Sequence, residues 1–188
     1  MRQRLAKNLQ LVLSLIAILL LLAASFTFVL YIRRPALRDS VMTTQIPRNK
    51  KVLINLSQTH YAPEARKAMS LWNKALKRHL FHEFDQSQAT ITLYDLSNQQ
   101  FSKINRDVGY GEHILAATGQ GGIYLNRDFM QQVDDQPYIV PVIEHELGHV
   151  IGLKHINGDA LMNASMQSTA FISQYDVQVA NYILKRIH

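Results

Sequence analysis

Cysteine is absent from the 188 residues. Disulfide scaffolds, thiolate zinc sites and cysteine nucleophiles are thereby excluded, although the compartment stays open. Charge is modest: 18% of residues are Asp, Glu, Lys or Arg against 47% apolar types, which excludes a disordered polyelectrolyte. The net charge is +6, but the basic residues are scattered and never form a stripe interleaved with aromatics. A nucleic-acid partner therefore has no footprint here. Beyond residue 32, internal repeats and low-complexity tracts are lacking too. The length suits one domain with a real core.

What the chain does have is a long uncharged run. No charged residue occurs between Asn8 and Ile32, and a helix needs about 20 apolar residues to cross a bilayer. A cleaved signal peptide ending at Ala23-Ala24-Ser25 is the alternative. Signal h-regions usually span about 7–15 residues, and the apolar character here continues through Ile32. The run is read as an uncleaved anchor over residues 9–32, with residues 1–8 as a cytoplasmic N-terminus. Arg2, Arg4 and Lys7 before it balance Arg33, Arg34 and Arg38 after it, so the positive-inside rule does not choose a side.

Residues 33–48 lack periodicity and read as a juxtamembrane linker. Residues 49–188 carry the pattern of one mixed domain. Lys51–Leu56, Ala89–Leu96 and Gly121–Asn126 read as strands. Pro63–Leu80, Val140–Leu153 and Phe171–Ile187 read as helices, the first with a proline suited to its opening turn. Phe101–Gly119, broken by glycines, is expected to be irregular.

One stretch carries chemistry: His145-Glu146-Leu147-Gly148-His149-Val150-Ile151-Gly152-Leu153-Lys154-His155. Four residues make about one helical turn, so His145 and His149 present both imidazoles to one point. Ile143, Leu147, Val150 and Ile151 fall on the opposite side, which can be buried. Gly152 can end the helix in a left-handed conformation and return the chain, bringing His155 to the same point. Three imidazoles around one zinc leave a fourth position open, as catalysis requires. Glu146, beside the first ligand, is placed to take a proton from water and pass it to a leaving nitrogen. This is metal-assisted amide hydrolysis.

These eleven residues resemble the extended zinc motif of the metzincin metalloproteases, and Ala160-Leu161-Met162 resembles that clan's methionine turn. Within the clan the likeness is to the matrixins. Met162 follows His155 closely, and Ala164 stands where astacins and serralysins carry a tyrosine ligand. Ser173-Gln174-Tyr175-Asp176-Val177 with Asn181-Tyr182 resembles the start of the matrixin C-terminal helix. The resemblance implies an α+β, zincin-like domain with a mixed twisted sheet and three main helices, one catalytic Zn2+ and Glu146 as base. It also implies that Gly121–Asn126 is the edge strand beside the cleft. Gly122, Ile123, Tyr124 and Leu125 are then expected to pair with an extended polypeptide substrate, while residues 162–169 wall the adjoining pocket.

Some matrixin features are missing. The loop after Met162 is shorter and lacks Tyr-Pro, a cysteine latency device is impossible, and the structural-zinc ligands are not recognisable. His113 with Glu112 and Asp107 reads as surface rather than as a remnant of that site. Asp134-Asp135 reads as a solvated turn rather than a Ca2+ site, and Glu144 as helix solvation. His60, His79 and His82 have no ligand spacing with one another.

The resulting expectation is a single-pass, membrane-anchored zinc endopeptidase whose catalytic domain faces outward, at the cell surface. Orientation follows family habit. Two alternatives stay open: a metallohydrolase with a carboxylate third ligand, and a zinc-stabilised membrane module without turnover.

Overall fold

The computed structural model describes residues 16–19, 37–85, 88–108, 114–133, 138–156, 161–163 and 171–187. The chain divides into two compact units, Met1–Asp39 and Ser40–His188. Within the first unit, residues 16–19 are helical and exposed, and the remainder of the expected anchor lies outside the described residues. Among the described residues no helix is long and apolar enough to cross a membrane.

The second unit is built on a five-stranded mixed sheet. Its strands are β1 (Val52–Asn55), β2 (Phe81–Glu83), β3 (Ile91–Leu96), β4 (Ala116–Gly119) and β5 (Gly122–Asn126). The spatial order is β2-β1-β3-β5-β4. All neighbours are parallel except β4, which runs antiparallel to β5. Among the described residues of this unit, the α-helices are α1 (Ala62–Leu76), α2 (Asn98–Val108), α3 (Arg127–Met130), α4 (Ile139–Ile151) and α5 (Gln174–Arg186). The α+β class is as expected.

Helix α1 buries Ala65, Ala68, Met69, Trp72 and Leu76, the one-sided pattern legible in its sequence. It stops before Leu80 because Lys77 turns left-handed, with φ 53°. The Asn73 side chain then captures the returning strand. Its Oδ1 accepts from the amides of Leu80 and Phe81 at 2.9 and 3.0 Å, and its Nδ2 donates to Phe81 O at 2.9 Å.

Phe101–Gly119 departs from expectation, since it supplies most of α2 and all of β4. Ser97 and Gln100 bond reciprocally across the first turn of α2, and buried Phe101 pins the helix to the core. The compact unit begins at Ser40. Its first residues lie along the end of α4: Met42 donates to Gly152 O at 2.7 Å, Gln45 to Val150 O at 3.0 Å, and Lys154 to Ser40 O at 2.9 Å.

Helix α4 is buried almost throughout, with Ile143, Leu147, Val150 and Ile151 fully inside. Trp72 of α1 packs against it and donates its indole N–H to Glu144 O at 2.8 Å. Helix α5 begins at a capping box: Asp176 N–H donates to Ser173 Oγ, and Ser173 N–H donates to the Asp176 carboxylate.

Candidate metal centre

His145 and His149 stand one turn apart on α4 and face the same side. Gly152 ends the helix with φ 110°, a conformation that favours glycine. Its amide and that of Leu153 both donate back to Gly148 O, at 3.1 and 3.0 Å. The chain reverses there, and His155 arrives from outside the helix. His155 Nε2 lies 3.1 Å from His145 Nε2 and 3.0 Å from His149 Nε2.

The remaining ring nitrogens fix the tautomers. His145 Nδ1 donates to Leu161 O at 2.7 Å, and His149 Nδ1 donates to Leu153 O at 2.8 Å. With the proton on Nδ1, each Nε2 turns a lone pair to the common point. Burial pushes the pKa of both rings down to about 4, and lowers that of His155 as well. All three are therefore neutral at physiological pH.

The donor set fits zinc. Nitrogens held about 2.0–2.1 Å from one tetrahedral ion lie about 3.3 Å apart, close to the spacing seen. Among the described residues this is the one cluster of His, Asp or Glu side chains able to hold a metal. His60 is exposed and bonds Asp95 at 2.8 Å, and the His79 and His82 rings lie 6.3 Å apart. Glu112, His113, Asp134 and Asp135 lie outside the described residues, as does the Asp107 side chain.

Leu161 and Met162 lie beneath the triad and are buried. Leu161 supplies the carbonyl for His145, and Met162 O accepts from Ile156 N–H beside the third histidine. A Cβ on Gly148 would run into Met162 Sδ, so the absence of a side chain there lets the methionine seat against α4. The expected pocket wall continues into residues 164–169, outside those described.

Glu146 is 5% exposed. Burial raises its pKa, opposed by His149 and by a hydrogen bond from Thr118. That bond, from Thr118 Oγ1 to Glu146 Oε2, is 2.6 Å long. Thr118 belongs to β4 and to no recognisable motif, so no local pattern points to it. Glu144 corrects another expectation: it is buried rather than solvated, and burial raises its pKa to about 7.

The cleft strand needs a larger correction. Gly122, Ile123, Tyr124 and Leu125 lie in β5, which pairs with β3 on one side and β4 on the other. Their backbone hydrogen bonds are already committed to the sheet, leaving no free edge for a substrate. The edge strand beside α4 is β4. Its four residues, Ala-Ala-Thr-Gly, are too weakly β-forming to stand out in the sequence.

Residues 38–184 match the family model of the matrixins. No curated protein matches the chain.

Proposed function

The chain belongs to the matrixin family of zinc metallopeptidases, and from that premise we propose a membrane-anchored endopeptidase that cuts extended polypeptides at the cell surface. The convergence of three Nε2 atoms beside a buried carboxylate carries this reading.

His145, His149 and His155 would hold the zinc. Bound there, the ion supplies Lewis acidity, making water easier to deprotonate and a peptide carbonyl easier to attack. Glu146 takes a proton from the attacking water and delivers it to the leaving nitrogen as the C–N bond breaks. Its low exposure and raised pKa suit a group that must accept a proton and return it. The free edge of β4 would receive the substrate as an added strand, fixing the scissile bond beside the histidines.

Glu146→Gln keeps the shape of the side chain and removes the base. The account expects zinc content to remain stoichiometric while cleavage of an internally quenched peptide falls at least about 100-fold, the lower range for a general base. Wild-type turnover in that variant would refute the role of Glu146 and favour a module that binds zinc without catalysis.

A further inference from the structure

The hydroxyl of Thr118 lies 2.6 Å from Glu146 Oε2 and 3.1 Å from the carbonyl oxygen of the same residue. It carries a single proton, and the shorter contact to an ionisable oxygen takes it. The donor is held firmly. Thr118 sits opposite Ile123, a fully buried residue, in the β4–β5 ladder, and its own bonds to Glu146 mark that face as the one turned to α4. Strand alternation sends Ala117 to the other face. Its β-branched side chain has few rotamers to choose from.

We propose that Thr118 is a positioning residue for the catalytic base. By occupying Oε2 it leaves Oε1 as the oxygen that takes the proton from water and returns it to the departing nitrogen. It also ties the base to β4, the strand on which the substrate would lie. A peptide added to β4 would thus steady the same backbone that aims the carboxylate. This rests on the reading of Glu146 as base, and it locates the effect in the chemical step rather than in substrate binding.

The test uses the full-length, zinc-loaded protein and an internally quenched peptide that the wild type cleaves. Thr118→Val preserves the β-branched shape and removes the donor, and Thr118→Ser restores it. Thr118→Ala provides a second deletion should valine disturb packing. Deletion is expected to lower kcat about 10- to 100-fold with KM, zinc content and Tm unchanged, and serine to recover most of the loss. The bond is read apart from turnover by the 13C shift of the Glu146 side-chain carboxyl, which should move in the valine variant and return in the serine one. Wild-type kcat in Thr118→Val while Glu146→Gln is inactive, or an unmoved carboxyl shift, overturns the assignment to Thr118 alone. Full turnover by Glu146→Gln overturns the reading beneath it, and this inference with it.

Discussion

At the scale of single residues, the triad is prepared for a cation before one arrives. Backbone carbonyls hold the protons of His145 and His149 on Nδ1, and burial lowers both pKa values to about 4. The sign of the pH effect follows. A protonated imidazole cannot ligate, so protons compete with zinc at these two rings only as the pH approaches about 4. Solvated histidines would begin to compete near pH 6.5. With the His155 pKa lowered as well, zinc affinity measured against a chromophoric chelator should fall less between about pH 8 and 6 than it would for three solvated histidines. A fall as steep as theirs would contradict the preorganised triad. The convergence of His145, His149 and His155 is legible because one helical turn aligns the first two and a glycine at the helix end returns the chain with the third. Thr118 is not, because its bond to Glu146 crosses 28 residues of chain and depends on strand pairing that no local pattern encodes. Glu144 shows the same limit: its burial comes from the packing of α1 on α4.

At the scale of elements, the end of α4 does the most for the site. Gly152 places His155, and a Cβ there would lie 3.2 Å from Met42 O and from Thr44 Cα. Those are backbone atoms, pinned by the bonds of Met42 and Gln45 to the end of α4. Gly152→Ala should cost about 1–3 kcal/mol through the positive φ and the crowding. Zinc affinity should fall with it, because the His155 arm has to shift. Thermal melting and a zinc titration check this, and an alanine variant as stable and tight-binding as wild type would contradict it. Helices α1, α4 and α5 and strands β1, β3 and β5 were legible, each carrying a periodic apolar face or a β-branched run. Strand β2 is three residues long, too short for a period to register. Helix α2 is largely polar and is secured by its cap and Phe101, while β4 is read only through its partner. With β4 so weak in the sequence, the stronger apolar pattern of β5 takes the place of the edge strand there.

At the scale of the whole molecule, the proposal joins a catalytic domain to a bilayer through residues 9–32. The uncharged run from Asn8 to Ile32 supports it. Carbonate washing of membranes from producing cells should leave the full-length protein in the pellet, and added protease should degrade its C-terminal domain in intact cells. Release into the wash, or protection of the domain, would contradict anchorage or outward orientation respectively. The zinc centre itself is tested most directly by zinc K-edge X-ray absorption on the purified full-length protein. The account predicts one zinc per chain with three imidazole nitrogens and one exchangeable non-protein light atom, all at about 2.0–2.1 Å. Four protein donors, or fewer than three imidazoles, would contradict it.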